Sequence, residues 1–178
     1  MKIYLTNFVL SQVAVIFALA CFMLAPHTRG VCQQGRDLTN NNTFLGDNAL
    51  SNNTTGVLNT AIGSSALLDN TTGGANNAID AYALFHNTTA SDNTANGDDA
   101  LAFNTIGSNN TASGSRALYS NTIDNSNTAA GYRALGRNTI GRTNIALGFE
   151  AGLNLTTGSN NIATHPSRFR TGSIDNVG

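Results

Sequence analysis

Asparagine stands at positions 42, 59, 76, 93, 110, 127, 144 and 161, each 17 residues after the last. Low-complexity linkers drift in length. A register held through seven successive units means that each unit stacks on the one before it. Numbered from that asparagine, position 8 is Ala in all seven units (49, 66, 83, 100, 117, 134, 151) and position 13 is Thr in all seven, from Thr54 to Thr156. Position 9 is Leu in six units, then Gly152, and position 12 is Asn in six, then Leu155. Position 5 is Gly except at Asp80, and position 15 is Gly except at Ala90 and Asp124.

Seventeen residues are too few for two helices. The two glycine positions and the Asn-Thr-x-Gly run before the second are turn signals, since Gly supplies positive φ and Asn tolerates it. Between them lie short apolar segments such as "NTAI" and "SALL", which read as strands. The period therefore predicts an all-β parallel solenoid with two strands and two turns per coil. Seven coils at about 4.8 Å each make a rod on the order of 34 Å long.

The chemistry that such a rod carries is sparse. Net charge is −1 and there is no tryptophan. A near-balanced charge excludes a basic nucleic-acid binder and an acidic tail. His27, His86 and His165 are scattered, and no Cys/His cluster has metal-ligand spacing. Asp98 and Asp99 are adjacent, so in a strand they face opposite ways and make a poor acid/base pair. No glycine is followed by the Lys-Ser/Thr of a phosphate loop. No catalytic residue, cofactor or metal is expected. At position 7, Asp99 with Arg116 and Arg133 with Glu150 sit one coil apart, where ion pairs across coils can form. The sequons at Asn53, Asn70 and Asn87 are by-products of the repeat. From 42 to 109 every charge is acidic, whereas 110 to 160 holds Arg116, Arg133, Arg137 and Arg142 against Asp124 and Glu150. That polarity is either drift on solvated faces or a polarised contact surface.

The runs "NTAIGSSAL", "NTASGSRAL", "NTAAGYRAL" and "NIALGFEAG" resemble the head repeats of trimeric autotransporter adhesins, the YadA-like left-handed parallel β-roll, over residues 42 to about 163. The resemblance implies a homotrimer at a bacterial surface that binds host or matrix molecules. Family heads lead into a coiled-coil stalk and a membrane β-barrel; "IATHPSRFRTGSIDNVG" after Asn161 has neither heptads nor alternating apolar strands. The 17-residue unit also resembles repeat-only secreted bacterial proteins.

In a straight strand only one of the neighbouring Ala and Leu at positions 8 and 9 can point inward. With Ala inside, Leu50, Leu67, Leu84, Leu101, Leu118 and Leu135 form an outer apolar stripe, the expected trimer interface. The alternative is a bend that turns both inward in a monomeric solenoid. Tyr82, Phe85, Phe103, Tyr119, Tyr132 and Phe149 interrupt an otherwise small-residue wall and are the expected binding surface, the alternative being that some of them pack against neighbouring chains. The function expected is a non-catalytic adhesin-like binding module, with an extracellular matrix protein, a glycan or a cell surface as partner. A structural filament without a specific ligand is the alternative, and an ice binder using the Thr column at position 13 a further one.

The first 30 residues differ in kind. Lys2 precedes a mostly apolar run from Phe8 to Ala25, the plan of a secretory signal, with small residues suited to cleavage after Ala20 or Gly30. Left uncleaved, the run is long enough to anchor in a membrane, and Cys21 after "ALA" hints at a lipoprotein site. The expected organisation is a signal or anchor at 1–30, a linker or N-terminal cap at 31–41, repeats at 42–163 and an irregular tail at 164–178. The expected location is secreted or cell-surface.

Overall fold

A computed structural model of the chain describes residues 34–37, 39–164 and 166. The signal or anchor at 1–30 and nearly all of the tail lie outside the described residues. Within them the chain is all-β: β1 (Gln34–Asp37), β2 (Asn42–Leu45), β3 (Thr60–Ile62), β4 (Asn77–Ile79), β5 (Thr94–Asn96), β6 (Thr111–Ser113), β7 (Thr128–Ala130), β8 (Ile145–Leu147) and β9 (Ile162–Ala163). They form a single sheet in chain order. From β2 to β9 every neighbour is parallel and offset by one repeat, so Ala61 lies beside Ala78, then Ala95, Ala112, Ala129 and Ala146. This is a parallel β-solenoid of about seven coils. β1, inside the expected N-terminal cap, folds back antiparallel on β2 and pairs its outer edge.

Each coil has one strand, not two. Positions 2 to 4 are extended, with position 3 buried and its neighbours turned toward solvent (Thr94 and Asn96 around Ala95, for example). The second segment follows another path. Positions 7, 9 and 17 have positive φ in every coil: Asn48, Leu50 and Leu58 in the first, Glu150, Gly152 and Asn160 in the seventh. Non-glycine residues adopt this conformation rarely. Here they are held by hydrogen bonds between coils, in which the amide of each position-9 residue from Leu50 to Leu135 donates to the position-8 carbonyl of the next coil.

The bend decides where the leucines go. With φ between 50° and 55° at Leu50, Leu67, Leu84, Leu101, Leu118 and Leu135, alternation is broken, and the Ala at position 8 and the Leu at position 9 both face inward. Leu67 through Leu135 are 0% exposed within a single chain and form the core with the two alanine columns. The expectation of an outer leucine stripe at a threefold axis is therefore corrected: these six side chains have no surface to offer another chain.

Two asparagine columns complete the interior. At position 1, Asn59 N–H donates to Asn42 Oδ1 (2.8 Å) and its amide to the Gly73 carbonyl (2.8 Å). At position 12, the Asn70 amide donates to Asn53 Oδ1 (2.8 Å) and to the same Gly73 carbonyl (3.0 Å). The pattern recurs from coil to coil. Buried amides in such ladders are satisfied by their own copies one coil away, as in stacked cross-β structures. Gly73 is tightly placed, since a Cβ there would stand 2.2 Å from the Ala90 carbonyl oxygen and 2.6 Å from Asn70 Oδ1.

Candidate binding surface

The inward pair at positions 8 and 9 leaves positions 6, 7, 10 and 11 on either side of it to carry the variable side chains, among them Tyr82, Phe103, Tyr132 and Phe149, which are exposed, and Phe85 and Tyr119, which are half-buried. The sequence-expected aromatics fall on this wall in two groups. Tyr82, Phe85, Phe103 and Tyr119 are joined through His86, which the sequence reading left among the scattered histidines. Ring centroids are 5.5 Å apart for Tyr82–Phe85, 4.5 Å for Phe85–His86, 5.3 Å for His86–Phe103 and 4.9 Å for Phe103–Tyr119. Tyr132 and Phe149 form a separate parallel stack at 5.4 Å, with Phe149 65% exposed. The signal for His86 was its place in the position-11 column, between Asp69 one coil below and Phe103 one coil above.

Each group carries an arginine. The Arg116 guanidinium stands 5.8 Å from the centre of the Tyr119 ring, and Arg133 stands 6.0 Å from that of Tyr132, within the range of cation–π attraction. Both expected ion pairs across coils form, Arg116–Asp99 at 3.3 Å and Arg133–Glu150 at 3.1 Å. The hydrogen bond and charge of Asp99 raise the pKa of Arg116, with smaller contributions from Tyr119 and Tyr132. Arg116 thus lies near both aromatic groups. His86 Nδ1 meets Asp69 Oδ2 at 2.8 Å, a contact not foreseen from the sequence. The result is one strip, from Tyr82 in the third coil to Phe149 in the seventh, of aromatic rings interleaved with paired charges.

Other columns have other fates. The position-13 hydroxyls are spent on the backbone: Thr54 Oγ1 donates to the Thr71 carbonyl at 2.8 Å, and the same bond repeats up to Thr139 and Thr156. They do not form the free hydroxyl array that an ice-binding column needs. The sequon residues Asn70 and Asn87 are fully buried in the position-12 column, out of reach of a modifying enzyme. Position 14 holds a feature that the sequence reading missed, a column of Ile106, Ile123 and Ile140 exposed by 54%, 50% and 55%. Among the described residues no group of three or more His, Cys, Asp or Glu side chains is placed to hold a metal ion.

No family model, no curated protein and no solved structure matches the chain.

Proposed function

We propose that the protein is a non-catalytic, exported binding rod, of the kind that YadA-like adhesin heads represent. The observation that carries this reading is the aromatic strip. Rings exposed on a rigid scaffold lose little conformational entropy on binding and serve as anchors at recognition surfaces. Contacts repeated at every coil add by avidity rather than through one deep site. Export rests on the apolar run at residues 8–25.

If chains associate in threes, as the resemblance implies, a column other than the leucines makes the contact. The column of Ile106, Ile123 and Ile140 is the favoured candidate, because it is apolar, exposed and in register.

The test is binding of the full chain to immobilised matrix proteins, polysaccharides and bacterial cells, repeated with one or two whole 17-residue coils removed. Binding that falls stepwise as coils are deleted supports a distributed surface. Binding abolished by one substitution anywhere would place the activity at a single discrete site, and no binding to any surface would favour a structural filament.

A further inference from the structure

We propose that the strip from Tyr82 to Phe149 binds a neutral, extended polysaccharide lying along the rod. The proposal rests on the binding-surface reading above and names its ligand class.

Three observations converge. The first is side-chain chemistry. The strip alternates aromatic rings with planar polar groups, namely Asp69 with His86, Asp99 with Arg116 and Arg133 with Glu150. The C–H face of a pyranose carries partial positive charge and packs on the negative face of an aromatic ring. Its hydroxyls both donate and accept, so they suit carboxylate and guanidinium edges presented together.

The second is charge. Across the wall positions of the second to seventh coils, the four carboxylates of Asp69, Asp98, Asp99 and Glu150 stand against the three guanidiniums of Arg116, Arg133 and Arg137. Arg116 and Arg133 are each paired with a carboxylate, and Arg137 bonds the Asn154 side-chain oxygen. No surplus of positive charge remains to attract an anionic glycan or a nucleic acid. A neutral polymer meets no such demand.

The third is spacing. The same wall positions recur once per coil, at the strand separation of about 4.8 Å. That repeat is close to the length of one sugar residue in an extended glycan, so successive residues of the polymer meet successive coils, although the ring shifts from positions 7, 10 and 11 in the third to fifth coils to position 6 in the sixth and seventh. The strip crosses five coils, the third to the seventh, each of which presents a ring. A helical partner would need an apolar groove and an added strand would need an open sheet edge; an open wall of rings and paired charges offers neither.

The chain itself provides the readout. It has no tryptophan, and Tyr82, Tyr119 and Tyr132, all in the strip, are three of its four tyrosines. Tyrosine emission of the full chain is titrated with hydroxyethyl cellulose and galactomannan, and with alginate and heparin as anionic counterparts, alongside affinity gel electrophoresis in the same polymers. The expected result is a change in emission and retarded migration with at least one neutral polymer, little affected by added salt. Phe103→Ala and Phe149→Ala each weaken it by about tenfold or more, Phe103→Tyr retains it, and circular dichroism confirms that the variants are folded. Retention by the anionic polymers alone, or neutral binding untouched by both alanine variants, overturns the proposal. So does the absence of neutral binding. In that case, matrix-protein or cell binding that is lost in the same variants leaves the surface reading standing, and the absence of all binding removes both.

Discussion

Asn138 and Leu155 meet where the position-12 column ends. Each asparagine from Asn70 to Asn138 donates its amide to the asparagine one coil below. Asn138 Oδ1 is buried with no hydrogen-bond partner among the described residues, because the side chain above it, Leu155, has no amide to donate. A buried acceptor left without a donor costs about 1–3 kcal/mol. Leu155→Asn supplies the donor at the expense of some apolar packing, and Leu155→Ala removes the packing alone. The expected outcome is that Leu155→Asn is more stable than Leu155→Ala by about 1–2 kcal/mol, measured by chemical denaturation. Equal stabilities would show that the ladder ends without penalty at Asn138.

Asp80 occupies a glycine position with φ of 95°, whereas the glycines at that position have φ from 122° to 141°. A side chain there strains the backbone. Asp80→Gly is expected to raise stability by about 1 kcal/mol, beyond the small loss of the bond from the Ala81 amide to Asp80 Oδ1. Gly114→Ala is expected to act in the opposite direction, since the new Cβ would lie 2.7 Å from the carbonyl group of Gly131. Paired melting curves check both signs.

Asp124 replaces the glycine of position 15, and its Oδ2 is buried with no partner among the described residues. Desolvation raises its pKa above the ordinary 3.8, with Arg142 opposing. A carboxyl group with a higher pKa folded than unfolded binds its proton more tightly in the native state. Its contribution is therefore fully present below the unfolded pKa and is lost as pH rises through the folded value. Asp124→Gly is expected to remove this decline and to stabilise the protein at neutral pH relative to wild type. Denaturation of both proteins across pH 3 to 7 is the measurement, and parallel curves would contradict it.

Much of this structure was legible in the sequence, and the failures have a common cause. The Asn register dictated the stack, and the position-8 alanines from Ala49 to Ala151, expected inside, are buried in every coil. The direction of the leucines stayed open between an outer stripe and an inward bend. Alternation in a strand assigns Leu101 to the outside when Ala100 is inside, and only a left-handed φ, rare at a non-glycine residue, reverses it. No local residue preference announces that conformation, because hydrogen bonds between coils impose it. The same bend removed the second strand from each coil. The aromatic wall was visible as a list of residues, but the role of His86 was not, since a lone histidine carries no signal until Asp69 and Phe103 are stacked against it.

The buried leucines set a direct test of the bend. Leu101→Asp places a carboxylate in a fully buried site, a change expected to cost more than about 4 kcal/mol. Loss of the β signal in circular dichroism is the predicted outcome. A folded chain of reduced mass in light scattering would restore the leucines to an interface between chains.

The central claim is that the protein is a stack of interchangeable coils, and whole-coil deletion addresses it most directly. Removing residues 127–143 joins Ser126 to Asn144 and keeps every column in register, so Leu118 meets Ala151 and Gly152 in place of Ala134 and Leu135. Removing residues 127–134, about half a coil, sets every later column out of phase. Thermal unfolding followed by circular dichroism is predicted to show a folded, cooperative protein with a lowered melting temperature for the first deletion and no folded β signal beyond the cut for the second. Equal behaviour of the two deletions, or complete unfolding of the whole-coil variant, would contradict the account.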